Sequence, residues 1–268
     1  MLKKRNLIFI YLLILGVLLI NGCGGLVVPL TYTVTYNGNG NTSGVVPIDA
    51  NLYEQGALVT VLGKENLVKI GYTFVCWNTA ANGSGTDLTE GSAFTMGASD
   101  VTLFAKWTPL YALRDTGPAG GLIFYVKEDG YSDGWMYLET APSDQGTGIQ
   151  WYNGSYMVTG AIGTAIGTGQ ANTTAIVTIQ GAGSYSAQVC NDLTVGGYND
   201  WFLPSKDELN LMYENLYLVV GGFFTDHVYW SSSETSDYYA WYQDFYNGGQ
   251  YTNWPKSNSG RVRAVRAF

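Results

Sequence analysis

His227 is the single histidine of this 268-residue chain. Asp226 precedes it, and Ser231, Ser232 and Ser233 follow just downstream. A hydrolytic triad needs a hydroxyl, an imidazole and a carboxylate brought together in space. Here the three types are sequence neighbours that lead into a strand-like run, where side chains alternate faces. No Gly-x-Ser-x-Gly elbow occurs. The histidine therefore reads as a turn residue next to buried structural serines. Cys190 has no basic group nearby to lower its pKa and make it a nucleophile. Asp200, Asp207 and Glu208 cluster near a helical pattern, but Glu208 is explained by capping and Asp207 suits the first-turn dipole. Asp226, Glu234, Asp237 and Asp244 could offer oxygens to calcium, which takes about six to eight; no EF-hand spacing is present. A structural zinc site usually takes about four Cys/His ligands at close spacing, which one histidine and isolated cysteines do not supply. No catalytic residue, metal ligand or cofactor site is assigned.

Aromatic side chains are the more informative group. Ten fall within residues 229–254: Tyr229, Trp230, Tyr238, Tyr239, Trp241, Tyr242, Phe245, Tyr246, Tyr251 and Trp254. Strand alternation puts Trp241, Gln243 and Phe245 on one face and Ala240, Tyr242 and Asp244 on the other. Trp230, Trp241 and Phe245 are expected in the core. Tyr238, Tyr239, Tyr246, Tyr251 and Trp254 stand among Gly, Asn and Ser, a composition of adaptable recognition surfaces. These five are the candidate ligand-binding residues, suited to stacking on a glycan or a protein surface.

The elements that carry these residues follow from composition. Charged residues are 13%, about half the usual share of a globular domain. With 35 Gly, 21 Tyr and 8 Trp, the chain reads as short strands and tight turns, and such aromatic content excludes disorder. The formal net charge is −8, and −11 without residues 1–22, which hold three cations and no acid. A polyanion such as nucleic acid would be repelled at long range. After Arg5, the only close cationic group is Arg261, Arg263 and Arg266.

Lys3, Lys4 and Arg5 precede a 14-residue apolar run, Leu7 to Ile20, and then Ile20-Asn21-Gly22-Cys23. The run is short for a membrane span, which needs about 20 residues, and suits a signal-peptide core. The segment resembles a bacterial lipoprotein signal, which implies cleavage after residue 22 and lipidation of Cys23; an uncleaved anchor or ordinary secretion is the alternative. Membrane attachment through lipid on Cys23 is expected, with residues 23–30 as a tether. Gly24 lacks the Asp that some Gram-negative bacteria use for inner-membrane retention, so outer-membrane sorting is expected in a host with two membranes. Cys76 and Cys190 sit in apolar stretches of different units and are expected as two buried thiols.

Residues 31–108 read as a small β-rich domain. Strands are expected at Tyr32–Tyr36, Ala57–Leu62, Tyr72–Trp77 and Val101–Trp107, separated by Gly/Asn turns. Gly71-Tyr72-Thr73-Phe74, Trp77-Asn78-Thr79, Gly83-Ser84-Gly85-Thr86 and Thr102-Leu103-Phe104-Ala105-Lys106-Trp107 resemble the Listeria–Bacteroides repeat, also called the internalin B-repeat. The resemblance implies a β-grasp-like module of bacterial surface proteins, present here once.

Residues 109–268 form the second unit. Strands are expected at Gly121–Val126, Trp135–Glu139, Tyr229–Ser231, Ala240–Phe245 and Val262–Phe268, and a long loop region over 143–170. Helices are expected at Asn172–Gln180, Tyr185–Leu193 and Ser205–Leu216, the last opened by a Ser205/Glu208 capping box with Leu209, Met212, Tyr213 and Leu216 at helical spacing. The run Gly196-Gly197-Tyr198-Asn199-Asp200-Trp201-Phe202-Leu203-Pro204-Ser205-Lys206-Asp207-Glu208-Leu209, then Tyr229-Trp230-Ser231-Ser232-Ser233-Glu234 and the ending Val262-Arg263-Ala264-Val265-Arg266, resemble the C-terminal domain type of the Legionella collagen-like adhesin. That implies an α+β fold of the C-type-lectin-like kind. Relatives often carry a cysteine where this chain has Ala264; if it pairs with the equivalent of Cys190, the bond is absent here.

The expectation is a lipid-anchored cell-envelope protein that binds a glycan or protein and catalyses nothing. The rivals are an envelope glycan-processing enzyme, which needs two carboxylates about 5–9.5 Å apart, and a pure scaffold.

Overall fold

The computed structural model describes residues 28–220, 224 and 227–268. The leader, Cys23 and Asp226, on which some of the expectations fall, lie outside the described residues. The first unit comprises β1 (Thr31–Tyr32), β2 (Val34–Asn37), β3 (Tyr53–Glu54), β4 (Leu58–Thr60), β5 (Tyr72–Asn78), β6 (Asp87–Leu88), β7 (Ala93–Thr95) and β8 (Val101–Pro109). A four-stranded sheet has the order β2-β8-β5-β6, with β2 and β8 parallel, and two-stranded ribbons join β1 to β3 and β4 to β7. No helix occurs between residues 28 and 109. Alternation in β2 turns Val34 and Tyr36 inward. They meet Val59, Leu67, Trp77 and Leu103 in one core. The Trp77 indole donates to the Leu62 carbonyl at 2.9 Å, and the Tyr36 hydroxyl accepts from the Leu62 N–H at 2.9 Å. The buried Asn78 amide explains the glycine-rich run that follows it. Its oxygen accepts from the Ala80 and Gly85 N–H groups, and its nitrogen donates to the Gly83 carbonyl and to Asp87. One side chain thus organises the whole 79–86 turn.

The second unit comprises β9 (Ile123–Val126), β10 (Tyr137–Thr140), β11 (Gly146–Gln150), α1 (Gly169–Gln180), α2 (Ser186–Asn191), α3 (Lys206–Met212), a π-turn over Tyr213–Tyr217, α4 (Leu218–Val220), β12 (Val228–Glu234), β13 (Ala240–Asp244), β14 (Gln250–Tyr251), β15 (Ser259–Val262) and β16 (Val265–Ala267). A three-stranded sheet has the order β16-β10-β9, and a five-stranded sheet the order β11-β15-β12-β13-β14. No sheet mixes strands of the two units. The protein is β-rich with few helices.

Two expected elements are corrected. Val262–Phe268 is not one strand: β15 ends at Val262 in the larger sheet, and β16 begins at Val265 in the smaller. The crossing at Arg263-Ala264 is held by the Ala141 N–H donating to the Ala264 carbonyl at 2.8 Å and by the Gln145 amide oxygen accepting from the Ala264 N–H. Residues 143–170 are not all loop either. Gly146–Gln150 pairs antiparallel with β15, so a segment of weak intrinsic strand preference becomes a strand through its neighbour.

The α3 capping box forms as expected: Ser205 Oγ accepts from the Glu208 N–H, and Glu208 reaches back to the Ser205 N–H at 2.7 Å. Glu208 also accepts from the Gly167 N–H at 2.7 Å. Burial lifts its carboxyl to about 7, against the backbone donors, which favour the charged form. Ser205→Ala is expected to destabilise the second unit by about 1 kcal/mol, read as a lower denaturation midpoint; an unchanged midpoint would refute the cap's contribution.

The units meet at an apolar joint. The Tyr137 hydroxyl donates to the Gly71 carbonyl at 2.5 Å and accepts from the Leu110 N–H at 2.8 Å. Tyr111, Tyr137 and the terminal Phe268 pack ring to ring within 5.3–5.8 Å. Gly71 is required twice over: its φ is +78°, and a Cβ there would lie 2.6 Å from Met136 Sδ.

Candidate functional site

The candidate chemistry resolves first. The Ser231 hydroxyl donates to the Trp241 carbonyl at 2.8 Å and Ser233 to the Gly163 carbonyl at 2.6 Å, while Ser232 Oγ lies 3.3 Å from the Asn172 amide nitrogen. All three serines are fully buried, and His227 is exposed. Burial pushes the Cys190 thiol well up, the opposite of what a nucleophile needs. Cys76 and Cys190 are free buried thiols. Cys190 and Ala264 belong to the same apolar cluster.

The carboxylates are dispersed among structural partners. Asp200 takes the Arg266 guanidinium in a fork at 2.8 and 2.9 Å. Asp207 pairs with Lys206 at 2.9 Å, and Asp244 caps the turn after β13 through the Tyr246 N–H and the Asn247 amide. Among the described residues no group of three or more His, Cys, Asp or Glu could hold a metal ion. The C-terminal arginines are equally committed. Arg261 and Arg263 share Asp144 at 3.0 and 2.7 Å, and Arg266 also reaches Glu139.

The aromatics sort into two clusters and one outlier. The first is a shelf on the larger sheet. Buried Trp230 stacks on half-buried Trp254 at 5.4 Å and 27°. Tyr242 lies 5.3 Å from Trp254 and 5.7 Å from Tyr251, with its hydroxyl on the Asn253 oxygen at 2.7 Å. The second is a tyrosine row. Tyr152 to Tyr156 is 4.8 Å, Tyr156 stacks on Tyr238 at 4.5 Å, and Tyr238 meets Tyr239 edge-on at 4.8 Å. Contact with Tyr156 is the main reason the Tyr238 hydroxyl titrates above its ordinary value. Tyr246 stands apart on the turn after β13, 75% exposed.

Of the five candidates, then, the structure brings Tyr251 and Trp254 together, joins Tyr238 to Tyr239, and leaves Tyr246 alone. Sequence reasoning missed Tyr242, Tyr152 and Tyr156 as members. No local signal marks Tyr152 and Tyr156, since the row is joined to the candidates only by the contact of Tyr156 with Tyr238, more than 80 residues away. Trp230 and Phe245 are fully buried as expected. Trp241 is corrected: it is only half-buried, with the Lys206 ammonium 5.1 Å over its ring. The strict alternation fails because the β12–β13 register shifts between Trp230 and Glu234, and it is Ala240 and Gln243 that turn inward.

A buried ion pair positions the tyrosine row. Lys256 and Glu234 side chains are 0% and 1% exposed and meet at 2.5 Å. Glu234 also accepts from the Thr159 and Gly160 N–H groups at 2.8 and 3.0 Å, and the Lys256 ammonium lies 4.2 Å over Trp151 and donates to the Met157 carbonyl. The pair therefore ties the 156–160 loop to the 234–256 segment. Burial lowers the Lys256 pKa, opposed by Glu234.

Beside the shelf, where β12 begins next to β15, lies a cavity of about 220 Å³ lined by Thr147, His227, Trp254, Ser259 and Arg261 over a floor at Gly260. Gly260 is needed there, since a Cβ would come within 2.8 Å of the Trp230 indole. The arrangement offers a flat aromatic wall, two hydroxyls and nitrogen donors. It holds no pair of facing carboxylates.

Residues 32–106 match the family model of the Listeria-Bacteroides repeat domain, and residues 141–266 match that of the Lcl C-terminal domain. A membrane protein of Evansella cellulosilytica is 40% identical over 76 residues, 28% of this chain and 11% of the relative. A Gly-rich membrane protein of the same organism is 44% identical over 77 residues, 28% of this chain and 9% of the relative. The chain thus spans about a tenth of the length of these curated relatives. Among solved structures, a fimbrial protein of Bacteroides ovatus aligns over 90% of this chain and 69% of its own at 10% identity, with a TM-score of 0.42.

Proposed function

We propose that this chain, which carries a Listeria–Bacteroides repeat domain followed by an Lcl C-terminal domain, is a non-catalytic, adhesin-like protein of the bacterial cell envelope. The names of its membrane-protein relatives agree with an envelope location. The first unit, read as a β-grasp-like module ending near Pro109, acts as a spacer. The second, read as C-type-lectin-like, presents its loops to a glycan or protein at the surface. The observation that carries this reading is the aromatic shelf. Tyr251 is 41% exposed and continues through Tyr242 and Trp254 to the buried Trp230, so a surface ring is backed by the core. Rigid aromatics lose little freedom on binding, and grouped exposed rings are normally covered by a partner.

Anchoring by lipid on Cys23, with outer-membrane sorting in a host with two membranes, is the second part of the proposal. Cys23→Ser should leave an unprocessed, unlabelled precursor when cells are fed a fatty-acid analogue; equal labelling of wild type and variant refutes the anchor. For the binding face, a glycan and matrix-protein array is the direct test. Tyr251→Ala and Trp254→Ala are each expected to weaken the ligand it identifies by about 1–3 kcal/mol, with Tyr246→Ala as a neutral comparison. Loss of folding stability without a specific effect on binding would identify these rings as core and move the recognition face elsewhere.

A further inference from the structure

We infer that the cavity beside Trp254 is a subsite for a single neutral hexopyranose ring, which rests on the binding role proposed above and specifies its ligand. A pyranose presents an apolar C–H face ringed by hydroxyls. The cavity offers the complement. Trp254 supplies a flat wall, and its stack on Trp230 at 5.4 Å fixes the plane of that wall before any ligand arrives. Thr147 and Ser259 are exposed at its edge, and their hydroxyls make no hydrogen bond to the described chain. Arg261 adds a guanidinium to the lining, its side chain 17% exposed. A guanidinium carries several N–H donors, and a sugar oxygen is an acceptor for them.

Size and charge narrow the class. At about 220 Å³, the space falls below the ~300–1,000 Å³ of sites for larger ligands, and suits one ring. Arg261 is the only fully charged group in the lining, and it is already held by Asp144 at 3.0 Å, a carboxylate it shares with Arg263. The guanidinium can donate a hydrogen bond to a neutral sugar oxygen, and the net negative charge of the chain disfavours acidic sugars. Gly260 keeps the floor open. Tyr242 and Tyr251 extend the aromatic surface outward, so a longer glycan would continue along the shelf from the ring held in the cavity.

Saturation-transfer NMR tests this on the full-length protein in a detergent without a sugar headgroup. The probes are the methyl pyranosides of glucose, galactose and mannose, with methyl glucuronide as the acidic comparison. At least one neutral glycoside should receive saturation on its ring C–H protons. Trp254→Ala should reduce that signal about ten-fold. Thr147→Trp, which fills the cavity from an exposed position and leaves the core intact, should abolish it, whereas Tyr246→Ala should not change it. No signal from any neutral glycoside, signal from the glucuronide alone, or signal that survives Thr147→Trp would overturn the inference. Failure here, with array binding still sensitive to Tyr251→Ala, removes the hexose subsite and leaves the wider binding role standing; loss of both removes both.

Discussion

Glu234→Ala should lower the unfolding free energy of the second unit by about 3–5 kcal/mol, the usual consequence of removing one partner of a buried ion pair. The reason is the uncompensated ammonium left behind. Lys256 is fully buried beneath Trp151, and its remaining partner is the Met157 carbonyl at 3.2 Å. The Thr159 and Gly160 N–H groups lose their acceptor in the same substitution. Lys256→Met should cost less, because the Glu234 carboxylate keeps both backbone donors. The double variant Glu234→Ala with Lys256→Met should be more stable than Glu234→Ala alone, since it removes the stranded charge. Denaturation by urea with tryptophan fluorescence reads all three. A Glu234→Ala midpoint equal to that of the wild type would mean that the pair is hydrated in solution and does not hold the 156–160 loop. Because that loop carries Tyr156, the same substitution should also loosen the tyrosine row, visible as higher acrylamide quenching of the surface tyrosines.

Trp201→Ala is expected to cost a similar ~3–5 kcal/mol, as for other deletions of a buried large aromatic. Trp201 is 1% exposed and donates its indole N–H to the Tyr198 carbonyl at 3.1 Å. It lies in the middle of an interlocked group. Arg266 stacks 3.9 Å over Tyr198 and 4.8 Å over Phe268, forks onto Asp200, and reaches Glu139. Glu139 in turn accepts from the Ala119 and Gly121 N–H groups at 3.0 and 2.9 Å. Removing the indole opens space beneath this group and lets water reach the ion pairs. Thermal unfolding should show a lower midpoint with the transition still cooperative. A change under 1 kcal/mol would show that the cavity collapses without disturbing Arg266, contrary to the close packing expected of such an interior.

Several features were legible in the amino-acid sequence because their physics is local. The Ser205/Glu208 box needs only a helix turn, and it forms. The alternation of Val34 and Tyr36 needs only an extended backbone, and both side chains point inward. Low charge with abundant Gly, Tyr and Trp required short strands and turns, and the protein is β-rich. The two motif series also determined the family matches, since each series is a set of turns and anchors that one fold demands. Asn78 before Gly83-Ser84-Gly85 is such a case, where one amide satisfies a whole turn.

What only the tertiary structure decided depends on residues far apart in the chain. Tyr156 becomes a neighbour of Tyr238, and Thr147 a neighbour of Trp254, through the return of β15 between β11 and β12. The division of Val262–Phe268 between two sheets follows from partners at Ala141 and Gln145. Lys256 reads as a surface cation by type, yet the Glu234 carboxylate, the Trp151 ring and the Met157 carbonyl make its burial tolerable by pairing the charge. The sorting of five candidate aromatics into a shelf, a row and an outlier was likewise beyond the sequence. Composition reports that rings are abundant in a segment, whereas stacking requires two rings within about 4.5–7 Å, a distance that chain folding alone sets.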